Sequence, residues 1–198
     1  QVAFGINIKR LLFDNEVKIN KLYVSKALVN VMVNQKGEAN YNIYIAPEDK
    51  KKDKNAPEEG TAIRLERIDF EDCHIKYNDR SAKILVDAKG FNYIGKGNLS
   101  EDIFDLSTEA KIDTVDFYYD RTAYLRKKEL HADLITRINT NALSFILQKN
   151  ELKINKLPLT FTGLFTILRD GYKINIQAAS KNAAVKDLLS VMPPEYLT

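Results

Sequence analysis

The chain has no tryptophan, one cysteine (Cys73) and two histidines (His74 and His131) among its 198 residues. A lone cysteine excludes an internal disulfide, so cysteine usage does not choose between an oxidising and a reducing compartment. Two histidines and one cysteine, badly spaced, make no convincing zinc site. No apolar run approaches the ~20 residues that a membrane-crossing helix needs. Charge of either sign is not in excess: 30 basic against 27 acidic residues leave +3, too little to argue for nucleic acid. The first residue is Gln1, and no basic-then-apolar leader follows it. We expect a processed chain or a section of a longer protein.

What is present is apolar alternation. Hydrophobic residues make up 44% of the chain, enough for a core, and the length fits one domain over 1–198. Val29, Val31 and Val33 alternate up to a turn at Gln35-Lys36-Gly37. Ile68 and Phe70 alternate, then Cys73, Ile75 and Tyr77 continue on the shifted phase before Asn78-Asp79-Arg80. Leu106 to Ile112, Leu130 to Ile138, and Leu143, Phe145 and Leu147 keep the same period of two, which is the strand signal.

The longest case is "LPLTFTGLFTILRDGYKINIQAA", 157–179. A two-residue turn at Asp170-Gly171 would set Ile167 against Ile174 and Phe165 against Ile176. A turn at Lys149-Asn150 would set Leu147 against Leu152 and Phe145 against Ile154. In both the apolar partners share a side, which predicts an antiparallel meander. Leu164 and Leu168 fall on the opposite phase, so that side is not purely polar. The phase flips between Ile154 and Leu157, beside Pro158, and between Ile19 and Leu22, where a bulge, a bend or a strand break is expected. "VKINKLYVS" at 17–25 and "LKINKLPLT" at 152–160 share "KINKL". That is either a faint structural repeat or coincidence in a chain rich in Lys, Asn and Ile.

Other segments read differently. "APEDKKKDKNAPEEG", 46–60, is charge-dense with almost nothing to bury, and is expected to be a mobile charged loop inside the domain. Helix is expected over 182–196, capped by Asn182 or Ser180 and stopped by Pro193-Pro194, with a covering role against the hairpin. A weaker helical turn is expected within 99–107, and a partly helical crossover over 114–129.

No constellation points to catalysis. Cys73 and His74 are strand neighbours facing opposite ways, so they cannot act as nucleophile and base; Cys73 is expected in the core. His131 shares the polar phase with Asp133. Asp69, Glu71, Asp113, Asp116 and Asp133 could work as acid and base only if folding paired two of them. "GFNYIGKG", 90–97, lacks the phosphate-cradling spacing, and bulges or a tight turn explain its glycines. No cofactor is expected, and no enzyme.

Many strands with one apolar face each, and a single good helix, leave three arrangements. The sheet can fold on a second sheet, close into a barrel, or curl into a trough whose lining stays available to a lipid. Elementary physics favours the closed forms, because large apolar patches are rarely left bare.

Three segments resemble the AsmA-like proteins of the Gram-negative envelope. In "INKLYVSKALVNVMVNQKGEANYNI", 19–43, the matching positions are Leu22, Gly37, Asn40 and Tyr41, with Lys36 where an acidic residue is usual. In "LERIDFEDCHIKYNDR", 65–80, they are Ile68, Asp72, Ile75, Tyr77 and Asp79. The end, 159–197, is similar to the family's long hairpin followed by a short helix and a proline. The resemblance implies a mostly β fold: long hairpins in a curved sheet, groove or half-open barrel, with a short C-terminal helix. It implies a periplasmic body carried by an inner-membrane anchor outside this chain, a role in outer-membrane biogenesis, and an apolar groove for phospholipid or other lipid. Envelope proteins are further expected partners. The candidate lining is Leu143, Phe145, Leu147, Leu152, Ile154, Phe161, Phe165, Ile167, Tyr172, Ile174 and Ile176. A module that binds envelope proteins through its sheet edges is the alternative, and a β-rich hydrolase a weaker one.

Overall fold

The computed structural model describes residues 1–6, 19–41, 65–99, 101–168, 171–181, 183–193 and 196. The expected charged loop at 46–60 lies outside them. Ten strands form one curved, open, mostly antiparallel sheet. They are β1 (Val2–Ile6), β2 (Ile19–Ser25), β3 (Leu28–Val33), β4 (Arg67–Asp79), β5 (Ile84–Lys96), β6 (Ile103–Tyr119), β7 (Thr122–Asn139), β8 (Ser144–Ile154), β9 (Leu157–Leu168) and β10 (Gly171–Ala179). From β4 to β10 each strand pairs with the next, an uninterrupted meander. β2 and β3 lie end to end along β4, both parallel to it, joined through Lys26 at φ 49°.

The register sorts side chains onto two faces. One cross-strand row runs Val2, Val24, Phe70, Tyr93, Ala110, Ala132, Leu152 and Leu159, one residue from each of β1, β2 and β4 to β9. The adjacent row on the opposite face runs Tyr23, Asp69, Ile94, Glu109, Asp133, Glu151, Thr160 and Ala179. An apolar face and a charged face follow from the period of two.

Bulges keep the apolar face continuous where the sequence changes phase. Asp72, at φ 47°, takes up the shift between Phe70 and Cys73; Gly90, at φ 61°, is the matching irregularity on β5. A Cβ on Gly90 would lie 2.3 Å from an Asp113 carboxylate oxygen, so both its conformation and its space require glycine. A bulge leaves a backbone N–H without its ladder partner, and side chains on the neighbouring strand accept these. Asp72 N–H donates to Asn92 Oδ1 (3.0 Å), Lys127 N–H to Asp116 Oδ1 (2.9 Å), and Ile135 N–H to Asn150 Oδ1 (3.0 Å).

Several expectations are corrected. Lys149-Asn150 is not a turn: β8 runs through it with a bulge, so Leu152 faces Leu159 and Ala132 instead of Leu147. The chain reverses later, at Asn155-Lys156, where Asn155 adopts φ 54°, a conformation asparagine tolerates better than most residues. The last hairpin turns one residue earlier than expected. Leu168 pairs with Gly171, which sets Ile167 against Tyr172 and Phe165 against Ile174. The slip is two residues in pairing, so every side chain keeps its face. Arg169 and Asp170 lie outside the described residues.

The crossover expected over 114–129 is instead the end of β6, a turn at Asp120-Arg121 and the start of β7. Aromatic and β-branched residues there (Val115, Phe117, Tyr118, Tyr119) outweigh its mixed charge pattern. Before β6 the Glu101 N–H donates to the Asn98 carbonyl, and the described residues there show no helix; Ser100 lies outside them. The C-terminal helix, α1 (Val185–Leu189), is short; it starts at Ala184 with no side-chain cap. Ser180 instead donates its hydroxyl to the Pro158 carbonyl, and Asn182 lies outside the described residues. Val185, Leu188 and Leu189 of α1 stay exposed, as does Leu168, so the helix does not cover the outer side of the hairpin. Lys128 of β7 holds the carbonyl of Ser190 just after it. Pro158 is tolerated because β10 has ended where its missing N–H would be needed: Ala179 pairs with Thr160 and nothing pairs beyond.

Candidate functional site: an apolar trough

The apolar face curls inward. On a flat sheet, six strand spacings of about 4.8 Å would hold β10 ~29 Å from β4, beyond the reach of screened electrostatics. Tyr172 on β10 is nonetheless among the groups that raise the phenol of Tyr77 on β4. Burial first, then the hydrogen bond to Asp79 and its charge, then Tyr41 and Tyr172, push Tyr77 up to about 12. The sheet is curved and open, and the face that carries both tyrosines is the one we describe as a trough.

Ten of the eleven sequence-predicted lining residues share this face. Phe145, Leu147, Leu152 and Ile154 come from β8, Phe161, Phe165 and Ile167 from β9, and Tyr172, Ile174 and Ile176 from β10. One row runs Phe104, Ile138, Phe145, Phe165 and Ile174 from β6 to β10. Phe165 anchors it, with ring centroids 5.8 Å from Phe145 and 5.7 Å, stacked, from Tyr172. Leu143 is the exception. It sits in the loop before β8 at φ 45°, 47% exposed, and its carbonyl accepts the Ile167 N–H. Gly163 lies on the face between Leu147 and Ile176. A Cβ there would meet the Asn175 carbonyl oxygen at 2.1 Å, so the floor has a notch that no other residue can fill without moving β10.

Sequence reasoning missed the part of the lining on β4 and β5. Phe70, Phe91 and Tyr93 of β4 and β5 form a second aromatic group on the same face, with centroids 5.6 to 6.1 Å apart. Their alternation was visible; their grouping on the same face as the β8 to β10 lining was not, because it depends on how the strands pair. Asn150 was also missed. It is 2% exposed on the apolar side between Leu134 and Phe161, and its Nδ2 has no partner among the described residues.

The residues matched to the family pattern have structural tasks. Leu22 pairs with Ile68 on the apolar face, and Ile75 and Tyr77 continue it. Gly37 turns the chain at φ 83°, and Asn40 accepts the Met32 N–H and donates to the Asn30 carbonyl. Tyr41 is exposed beside that turn. Asp72 is the bulge residue. Asp79 closes the next turn by accepting from Ser81 N–H, Ser81 Oγ and Ala82 N–H. Burial pushes its carboxyl up, but these bonds and that from Tyr77 outweigh it and hold the group below its ordinary value.

The charged face holds a hollow of about 630 Å³ lined in part by Asp69, Glu71, Glu109, Lys111, His131 and Asp133. Folding does bring two carboxylates together there: Glu109 directly opposes Asp133. Asp69 is buried and bound by Lys21 (2.6 Å) and Arg67 (2.7 Å). Against the upward push of burial, those cations hold its carboxyl below the usual range, which makes it a poor proton donor. Asp113 pairs with Lys111 at 3.3 Å, and Asp116 is occupied by the Lys127 N–H. His131 reaches Glu129 (2.8 Å), and His74 reaches Asp87 (2.7 Å) on the side away from the buried Cys73. No group of metal-binding side chains occurs among the described residues.

No helix among the described residues is long and apolar enough to cross a membrane. Comparison with known proteins finds no matching family model, no matching curated protein and no matching solved structure.

Proposed function

We propose that this chain is a periplasmic section of an AsmA-like protein of outer-membrane biogenesis, and that its trough shelters the acyl chains of phospholipid moving between membranes. One observation carries the reading: the apolar face is continuous from β1 to β10, and at β10 it is left bare. Tyr172, Ile174 and Ile176 are 64%, 62% and 46% exposed. Isolated surface apolar residues need no explanation; a contiguous row of them marks a binding surface. An acyl chain gains about 0.8 kcal/mol per buried CH₂ from a smooth apolar lining, with no specific contact, while the headgroup stays wet. The lining offers that, and the charged opposite face keeps the sheet in water.

The test is lipid extraction and mass spectrometry on the purified chain, with Phe165→Asp/Ile176→Asp beside it. Phospholipid should co-purify with the wild type and be lost from the variant while the circular dichroism of the sheet is retained. Absence of lipid from the wild type, or equal lipid in both, would defeat the proposal. A second reading, an assembly module that binds envelope proteins through a sheet edge, is favoured by the bare outer edge of β10.

A further inference from the structure

The outer edge of β10 has the features that invite a further strand. Ile167 donates its N–H toward β8, so along β9 the odd-numbered residues bond to β8 and the even-numbered ones to β10. On β10, Gly171, Lys173, Asn175, Gln177 and Ala179 are their partners. Tyr172, Ile174, Ile176 and Ala178 therefore point their N–H and C=O groups outward, and among the described residues nothing accepts them. Protected edges are short, bulged, proline-bearing or rich in charge. This one is nine residues long, pairs with β9 without a register shift, contains no proline and carries Lys173 as its sole charge. The opposite edge strand, β1, has five residues and a register shift.

We propose that the β10 edges of two copies pair antiparallel about a two-fold axis at Asn175, joining two troughs along one wall. Three features of β10 suit a second copy in this register. Asn175 is the midpoint of Gly171–Ala179, so the whole strand overlaps its mate. The outward residues meet as Tyr172 with Ala178 and Ile174 with Ile176, a bulky ring beside a methyl group and two matched branched chains on the trough side. Each of these four residues exchanges both backbone groups with its partner. The lone charge, Lys173, meets Gln177, whereas an axis at Lys173 would oppose two lysines.

Sedimentation of the purified chain over a range of concentrations tests this, with variants whose substitutions leave the β9 pairing intact. Ile174→Pro removes an outward N–H that β9 does not use, and should weaken dimerisation by roughly a hundredfold. Asn175→Lys and Asn175→Glu each place like charges at the axis and should each be monomeric, while an equal mixture of the two should re-form a dimer. Only a register that sets position 175 against itself gives that rescue. A wild type that stays monomeric, a dimer indifferent to Ile174→Pro, or a mixture that fails to associate would each overturn the proposal. Lipid content is a separate readout, so a monomer that still carries phospholipid would defeat this inference and leave the trough standing.

Discussion

β4 and β10 carry the same alternation and present their apolar residues to the same trough, yet they meet different surroundings. On β4, Cys73 is 1% exposed, and on β5 Ala88, opposite Ile75, is 3% exposed. Phe70 is wedged edge-on against Phe91 and Tyr93, and Asp69 is pinned by two cations. On β10 every residue is exposed. Two neighbours, β2 with β3 on one side and β5 on the other, flank β4; β10 has one. An apolar period of two tells which face a side chain takes. Whether a side chain on that face is covered depends on the strands that flank its own, and a strand that ends a sheet has only one.

The largest effects should separate covered positions from bare ones. Leu157, at the turn end of β9, is 2% exposed. Leu157→Ala should cost about 2–4 kcal/mol in urea unfolding, the transfer loss of the side chain plus a residual cavity. Ile174→Ala and Ile176→Ala on β10 should each cost under ~1 kcal/mol, since little is buried there to lose. Equal costs would mean that β10 is covered and the trough closed.

Next in size is Asn150. Its Oδ1 accepts the Ile135 N–H at the β8 bulge. Asn150→Ala leaves that buried amide without a partner and should cost about 1–2 kcal/mol. Asn150→Asp should be worse despite keeping the acceptor, because it buries a carboxylate with only one donor to answer it. If both variants unfold like the wild type, the bulge is held by packing alone.

A smaller effect separates the walls by pH. Asp69 and Asp79 of β4 both have native carboxyls held below their ordinary value of 3.8. The native state therefore gives up these protons more readily than the unfolded chain. The stability they confer is complete above 3.8 and is lost as pH falls through the lower native values. The urea midpoint should drop as pH is lowered below 3.8, and the drop should shrink in Asp69→Asn/Asp79→Asn. An unchanged slope would show that β4's carboxylates are not what the acid attacks.

How far the sequence reached is clearest within the repeated pentapeptide Lys-Ile-Asn-Lys-Leu. Ile19-Asn20-Lys21-Leu22 and Ile154-Asn155-Lys156-Leu157 are identical, and both show the same change of apolar phase. The first stays within β2, where β1 skips Asn20 between Gly5 and Ile6 and the flip is a bulge. The second reverses the chain, with Ile154 and Leu157 paired across the turn. So short a stretch cannot choose between a bulge and a turn; the choice falls to the strands available to pair. The same logic explains why Lys149-Asn150 was misread as a turn. The pattern was equally satisfied by a bulge, at which the buried Asn150 Oδ1 accepts the Ile135 N–H. Face membership was legible throughout, as the one-residue error in the last turn shows: partners changed and faces did not. Curvature was not legible, since it accumulates from bulges such as Asp72 and Gly90 whose geometry depends on neighbouring strands.

The smallest effect tests the curl that brings the two walls together. Tyr77 is pushed up to about 12, chiefly by burial and Asp79, with a final contribution from Tyr172 across the trough. Its native value lies above the ordinary 10, so the stability linked to it is complete below pH 10 and is lost as pH rises toward 12. Tyr77→Phe should flatten that alkaline loss. Tyr172→Phe should keep the loss but shift the Tyr77 titration slightly downward, because one of the groups that raise Tyr77 is removed. Carbon-13 labelled tyrosine, followed by NMR through the alkaline range, resolves the two. A Tyr77 titration indifferent to Tyr172→Phe would place β10 too far from β4 to share a trough with it. The apolar face would then be a broad open wall, better suited to lying against another sheet than to enclosing an acyl chain.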